Sequence, residues 1–540
     1  MAPRSAACTA LVLLALVPRK AAGTAQTVDV CIIGAGPSGI GAALALTQKD
    51  KSVALLEREN RAGGQTAPQY VDPASGFRTH QGAIYMTPPD YSLVIDYASR
   101  VGVGIEPYSS DPIGSSFYVA SGNAQPVVIT APDSPQMARL HNLAGDFRGF
   151  VNAMRRFRAL YKTLKPTLFG RGGMPAILRA APELAQNMDA WLAQHDLSLL
   201  NPIAAQVLLN TGYGHLYTTS AASALQYLSP YSLTAGLGGS GIDTSKLITS
   251  ADLAGYNHTL YMFKDDVGFA EVMQRLTRTL LPAGTLRLNV SITSVQRPAA
   301  DAAPGTPVVI TYSQPGIGTT TVSCGALINS VAQALPNLGF LGLDDVEMLL
   351  FSSVLWCRYF TVAMMVKPKL REGMYLLPLP RDEGIYRRVR FSRLRGDRFE
   401  DRPALPLLSA IVDPSPYRGE ATSLYSVNHG AANRPPGVPY SADPGLMVAY
   451  SYSDVPISAA EVAAKAVQMV NGTLRSASAE AVFEFIYYPR VSESDLKAGW
   501  MARADALQGR RNTYHCGGLF TFWDVEGAFR SGFDLVDRFF

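Results

Sequence analysis

A chain of 540 residues, 47% hydrophobic and 17% charged, can bury a sizeable core and is too long for one ordinary compact domain, which excludes a disordered or fibrous protein and points to two interwoven domains. The formal charge is +4, but Arg4, Arg19 and Lys20 stand in a terminal stretch without acidic residues, so the rest of the chain carries 44 basic against 43 acidic groups, a net +1. That balance argues against nucleic acid as a partner, and there is no solenoid or propeller period and no low-complexity arm.

Residues 1–25 read as a secretory signal: Arg4 supplies the positive start, Ala6 to Val17 is apolar, and Gly23-Thr24-Ala25 offers small residues for cleavage. The apolar run falls short of the roughly 20 residues that span a bilayer, so no stable membrane insertion is expected and the mature chain should begin near Gln26. This places the protein in the secretory pathway, secreted or in a vesicle lumen, where Asn257-His258-Thr259, Asn289-Val290-Ser291 and Asn471-Gly472-Thr473 are acceptor triplets for glycosylation. Asn289 reads as part of a strand, which makes Asn257 and Asn471 the better acceptors.

Val28 to Ile33 is a continuous apolar run of the kind found in buried parallel strands, and Gly34-Ala35-Gly36-Pro37-Ser38-Gly39 follows it directly, before a helix from Ile40 onward. Gly34 permits a tight turn, Gly36 lets backbone approach a pyrophosphate, and Gly39 lets the helix pack on the strand with its first amides turned toward the phosphates. A second strand, Val53-Ala54-Leu55-Leu56, ends in Glu57, about 20 residues downstream as a dinucleotide fingerprint requires, where a carboxylate meets ribose hydroxyls. Cys31 lies inside the first strand, where a disulfide is not expected; Cys8 leaves with the signal, and Cys324, Cys357 and Cys516 lack the C-x-x-C spacing of a dithiol or zinc site, so no metal is expected.

Ser134 to Gln206 has helical periodicity, and the prolines at 166, 175, 182 and 202 are expected to divide it into short helices. Between Met348 and Met447 come strand-like runs such as Phe360 to Val366. Helices plus a sheet would form a lid over the cofactor.

The element Arg61-Ala62-Gly63-Gly64 after the ribose acid resembles the R-x-G-G run of the flavin amine oxidase superfamily, and this resemblance implies FAD rather than NAD. Further segments carry the same resemblance. Gly268 to Leu276 is similar to the superfamily's linking helix, Leu286 to Val295 to the strand whose backbone meets adenine at Ile292, and Ala326-Leu327-Ile328-Asn329-Ser330 to the strand that closes the sheet. Tyr514-His515-Cys516-Gly517-Gly518 and Trp523 to Gly532 resemble the last strand and the flavin-facing helix. The implied fold is α/β, a Rossmann-type FAD-binding domain of amine-oxidase-like kind (26–95, 261–345 and 491–540) interwoven with an α+β substrate domain (96–260 and 346–490). The implied cofactor residues are Gly34, Gly36, Pro37, Ser38, Gly39, Glu57, Arg58, Arg61, Gly63, Gly64, Gln65, Gly82, Ala83, Ile292, Gly517, Asp524, Val525 and Glu526. One departure stands out, because the superfamily usually has Gly-Glu or Gly-Asp where this chain has Gly517-Gly518.

Asp72-Pro73-Ala74-Ser75-Gly76 before Thr79-His80-Gln81-Gly82-Ala83, with the secretory start, looks most like the fungal β-cyclopiazonate dehydrogenase group of FAD oxidocyclases. The resemblance implies an oxidoreductase that takes hydride from a C–H bond of a small organic substrate, of amine or indole type, and passes electrons to O2. The alternatives are a thioether oxidase of the prenylcysteine kind and a non-redox Rab-escort-like binding protein. Tyr85 and Trp523, with Phe522 beside it, are expected to flank the flavin, and His80 to act as a proton acceptor, a covalent tether or a structural histidine; His515 carries the same alternatives. Trp356 to Thr361 holds no lysine at the place where amine oxidases often keep one.

Overall fold

The structure is a computed structural model. It describes residues 26–107 except 67–68, 72 and 74–77, then 116–118, 127–128, 147–236 except 211, and 260–367 except 301 and 304; of 373–540 it omits 377–389, 396–397, 404–417, 427–444, 454–455 and 474–475. The signal reading of residues 1–25, the triplet at Asn257, residues 134–146 and most of Asp72 to Gly76 lie outside the described residues.

The strand Gln26–Ile33 has exposed residues only near its start, and its last four positions are buried, as expected of a strand covered on both faces. It sits parallel between Val53–Leu56 and Gly318–Asn329. The full order of this seven-stranded sheet is Ser291–Gln296, Val308–Gln314, Gly318–Asn329, Gln26–Ile33, Val53–Leu56, Leu286–Arg287, with Thr513–His515 pairing in parallel with Gly318–Asn329. Ala326 to Asn329 thus runs through the middle of the sheet, between the first strand and Thr513–His515, instead of closing an edge.

Two expectations fail at the strand level for physical reasons. Leu286 to Val295 is not one strand: Asn289 takes a left-handed conformation (φ 56°) in an exposed bend, so Leu286–Arg287 pairs with Val53–Leu56 while Ser291–Gln296 turns to pair with Val308–Gln314. Asn289 is therefore not strand-bound. Cys31 and Cys324 are disulfide-bonded, contrary to expectation, because the parallel register sets Val28 opposite Cys324 and brings the two cysteine Cα atoms to 5.8 Å, within ordinary bridging reach.

A second seven-stranded sheet, in the order Ser476–Arg490, Leu355–Lys367, Gly445–Ser453, Arg418–Ser426, Gly373–Leu376, Ser116–Tyr118, Val127–Val128, has one face packed under the helix Ala459–Thr473 through Phe360, Val362, Met364, Met447 and Val470. Residues 147–236 form the helical part around Phe157, Trp191 and Leu225. Prolines 175, 182 and 202 lie in the opening turns of Gly173–Ala180, Pro182–Ala185 and Asn201–Asn210, whereas Phe147–Leu168 runs on through Pro166. That proline stands in the last turn, where few backbone hydrogen bonds remain to be lost. No helix among the described residues is long and apolar enough to cross a membrane.

The C-terminal helix Val525–Phe539 crosses Pro37–Gln48 at glycines from both sides. A Cβ at Gly41 would overlap the Phe529 carbonyl, and one at Gly532 would overlap the Ser38 carbonyl, so the two backbones meet directly.

Candidate flavin site

Gly34 has φ +99°, and its amide bonds the Leu56 carbonyl at 2.8 Å, which turns the chain sharply off the first strand. A Cβ at Gly39 would overlap the Gly34 carbonyl oxygen, so helix and strand touch there. At Gly36, in contrast, a Cβ would find only Gly64 Cα, 3.9 Å away; the space above it is open. Gly36 is the N-cap of Pro37–Gln48 and provides no side-chain cap, which leaves the first helical amides for an anion.

Glu57 is 7% exposed, and its carboxylate accepts from the Ala35 amide (2.7 Å) and the Glu59 amide (2.9 Å). The ribose acid of the fingerprint is thus also a brace for the glycine loop. The backbone flanking it is that of Arg287 to Val290, through Glu57 N to Arg287 O and Val290 N to Glu57 O, both 2.9 Å. Ile292 lies beyond, paired with Tyr312 on the neighbouring strand.

Gly63 (φ +114°) and Gly64 (φ +51°) bring a second loop onto the first, with the Gly63 amide on the Ala35 carbonyl at 2.7 Å. Arg61 donates from Nη2 to Gly64 O at 3.1 Å, while its buried Nη1 has no protein partner, and desolvation pulls its pKa down. Arg58 instead faces solvent beside Glu59. Gln65 donates to the Ile486 carbonyl (2.7 Å) and accepts from the Trp523 indole (3.1 Å), tying the loop to both the second sheet and the C-terminal segment. A Cβ at Gly82 would overlap the Thr66 carbonyl, so Gly82 and the half-buried Ala83 lie against this loop.

The Gly517-Gly518 departure has a steric cause: any side chain at 518 would overlap the Trp523 ring. Gly517 has φ +140°, its amide donates to Ser531 Oγ at 2.7 Å, and Gln333, bonded to Cys516 O, leaves its buried Oε1 without a partner beside it. Glu526 turns away from the loops and caps the helix Ser92–Arg100, accepting from Leu93 and Val94 amides and from Arg530. Asp524 caps Val525–Phe539 through Gly527 N (2.6 Å) and receives the Tyr91 hydroxyl.

Glycine-walled space over uncapped amides, an orphaned guanidinium nitrogen and an orphaned amide oxygen fit a ligand with a pyrophosphate and further polar edges, as FAD has. Residues 29–90 match the family model described as FAD dependent oxidoreductase. The chain is an FAD-dependent oxidoreductase. Over 503 residues the oxidoreductase is 22% identical to the FAD-dependent oxidoreductase oblC of Cochliobolus heterostrophus, covering 92% of this chain and 88% of that one. Its fold matches the fatty acid isomerase of P. acnes that produces CLA (TM-score 0.63, 21% identity, 95% and 99% of the chains) and cyclohexylamine oxidase from Brevibacterium oxydans (TM-score 0.52, 15% identity, 95% and 98%).

Of the catalytic candidates in the oxidoreductase, Trp523 is brought against Gln65 and Tyr487. Phe522 packs edge-on to Tyr213 at 4.6 Å and stacks on Tyr227 at 5.3 Å. Tyr85 is half buried, three residues after Gly82. His80 is buried with its ring against the Gly268 backbone, where a Cβ would come within 2.6 Å of it, a packing position at the start of Phe269–Leu280. His515 is also enclosed: burial drives its pKa down to about 4, its Nδ1 sits 3.2 Å from Asn329 Nδ2, and Phe351 covers it, so it is neutral and structural.

The aromatic wall that sequence reasoning missed comes from three distant segments: Tyr213 and Tyr227, Tyr359, and Tyr487, with Tyr359 stacked on Tyr487 at 4.6 Å and Tyr487 on Tyr213 at 5.9 Å. Desolvation lifts the Tyr213 and Tyr487 hydroxyls well above the ordinary phenol range, so both stay protonated at neutral pH. Alternation of tyrosine and apolar residues along 355–367 was the available signal, yet it does not say which face meets the cofactor.

Glu57→Ala is expected to weaken FAD binding roughly 10- to 100-fold, since charge-assisted hydrogen bonds contribute about 1.5 to 3 kcal/mol each and the Ala35 amide loses its partner as well. Flavin retention through gel filtration measures this; stoichiometric FAD at unchanged affinity would remove Glu57 from the ribose-binding role.

Proposed function

We propose that the enzyme takes hydride from a C–H bond of a small, electroneutral organic substrate, an amine in its free-base form or an indole, and delivers the electrons to O2. The observation that carries this reading is the wall of Tyr213, Tyr227, Tyr359, Tyr487 and Phe522 beside Trp523 and Gln65, whose rings offer apolar faces and neutral hydroxyls. FAD supplies the hydride acceptor. The chain's own residues orient the substrate between rings and keep water out, and Gln65, held by Ile486 and Trp523, fixes the loop against which the substrate would lie. The amine-oxidase likeness supports the amine reading, and the fungal relative supports membership of a group such as the cyclopiazonate dehydrogenases.

Anaerobic mixing with the true substrate should bleach the flavin without NADPH, because the chain carries one strand-glycine-helix fingerprint, at Gly34 to Gly39. Screening amines, indoles and thioethers for peroxide release identifies the class. Rapid reduction by NADPH and none by organic substrates would make it a reductase or monooxygenase.

A second reading is favoured by the likeness to the fatty acid isomerase, in which the substrate is rearranged with no net oxidation. Product formed under argon without lasting bleaching would decide for it.

The secretory reading is supported by the Cys31–Cys324 disulfide, a bond that persists in oxidising compartments. Exposed Asn471 and Asn289 are acceptors consistent with it. Mass spectrometry of secreted protein should find an N-terminus near Gln26.

Asp524 gives a pH signature. Burial, aided by the negative charges of Glu526 and Asp90, pushes its carboxyl up to about 7 against the hydrogen bonds from Gly527 and Tyr91. A carboxyl raised in the folded state favours folding below its ordinary pKa, and that advantage is lost as pH climbs toward 7. Asp524→Asn keeps the helix cap and removes the titration, so the variant should gain about 2 to 3 kcal/mol relative to the parent between pH 5 and 7.5. Urea unfolding at the two pH values reads the difference; parallel curves would show that Asp524 titrates normally.

A further inference from the structure

We propose that Arg490 anchors a second binding site, for the carboxylate of a small organic acid, behind the aromatic wall of the flavin chamber. The strand Ser476–Arg490 twists at Tyr488, which has φ 49°, so that Tyr487 stacks with the chamber tyrosines while Tyr488 lines a separate cavity with Ser220, Ser223 and Arg490. The opposite side of this cavity is apolar, made by Met174, Leu519 and Phe522.

The polar side is built for an anion. Arg490 Nε is buried and has no hydrogen-bond partner, and among the described residues Arg490 makes no ion pair; its guanidinium lies 5.9 Å over the Tyr488 ring. A buried donor left unmade costs about 1 to 3 kcal/mol, so a guanidinium held in this way points to a ligand that satisfies it. The nearest carboxylate in sequence, Glu493, is engaged elsewhere, accepting from the Asn187 amide and Lys497. Ser220 and Ser223 place hydroxyls at the same mouth, and Tyr488 is held there by hydrogen bonds to Thr219 and Ser223. A planar fork beside hydroxyl donors matches a carboxylate, and the floor of Met174 and Leu519 suits an acid with a short apolar body more than inorganic phosphate.

The site stands apart from the chamber and does not rest on the substrate reading, because the Phe522 ring, packed on Tyr213 and Tyr227, forms the wall between the two. The test is calorimetric titration of the FAD-loaded enzyme with butyrate, with butanol and inorganic phosphate as comparisons. Saturable butyrate binding that leaves the flavin spectrum unchanged, weakens at least 10-fold in Arg490→Met and recovers in part in Arg490→Lys is the expected result. Flavin content and circular dichroism verify that each variant is folded, and Ser223→Ala, expected to bind butyrate several-fold more weakly, tests the site if Arg490→Met is not. Absence of saturable binding, equal affinity in Arg490→Met, butanol binding as well as butyrate, or a shifted flavin spectrum each overturns the proposal. Phosphate binding as tightly as butyrate would make this an inorganic-anion site and overturn the ligand class.

Discussion

Gly36→Val is expected to give a folded protein that purifies without flavin. At residue 36 the backbone is extended (φ −75°, ψ 177°), a conformation open to any residue, and an added Cβ has no neighbour nearer than Gly64 Cα at 3.9 Å. Valine therefore fits the empty fold. What it fills is the space over the uncapped amides of Pro37–Gln48, where the pyrophosphate would lie. Gly39→Val makes the contrast: its Cβ would overlap the Gly34 carbonyl and approach Ser330 Oγ to 2.6 Å, so helix and strand must separate and insoluble protein is expected. Circular dichroism, thermal melting and flavin absorbance distinguish the two. Fully yellow Gly36→Val protein would count against the placement of the cofactor over this turn.

Arg297→Met is expected to cost about 3 to 5 kcal/mol, the largest stability loss foreseen for any single substitution away from the glycines. The Arg297 and Glu347 side chains are 0% and 1% exposed, and Arg297 donates from both terminal nitrogens to Glu347, from Nε to Leu341 O at 2.9 Å and from Nη2 to Gly342 O at 2.9 Å. Removing the guanidinium strands a buried carboxylate that also accepts from the Asp344 amide. Although burial alone would raise the Glu347 pKa, the hydrogen bonds and charge of Arg297 hold it below the ordinary value, so the pair is ionised. Urea unfolding measures the loss; Arg297→Met with Glu347→Leu should recover much of it, because it is the unpaired charge that is costly.

The segment from Gln26 to Glu57 was legible because its constraints are local: an apolar run, glycines at fixed offsets, and an acid at the end of the next strand. The same holds for Phe269–Leu280 and Val525–Phe539, whose apolar spacing depends on nothing far away. The features that escaped depend on register and packing between distant residues. Cys31 meets Cys324 across 293 positions of sequence, through a strand pairing that no local pattern encodes. Asn289 breaks a run that looks continuous, because an asparagine tolerates the left-handed turn that redirects the chain. The second glycine of Gly517-Gly518 read as a lost carboxylate, yet it is required by Trp523, five residues later, folding back over it. The chamber wall draws on Tyr213, Tyr359 and Tyr487, and among 25 tyrosines nothing local marks those three.

The glycine-mediated crossing of Pro37–Gln48 by Val525–Phe539 has a consequence for biosynthesis. The first helix of the cofactor cradle emerges early from the ribosome, but the helix clamped across it, and Trp523 that fastens Gln65, are among the last residues made. A nascent chain can therefore form the glycine turn long before it can enclose a ligand there, and cofactor loading becomes a post-translational event. A ribosome-arrested chain that ends before Trp523 should leave FAD exchangeable with the medium, whereas the released full-length protein should retain it.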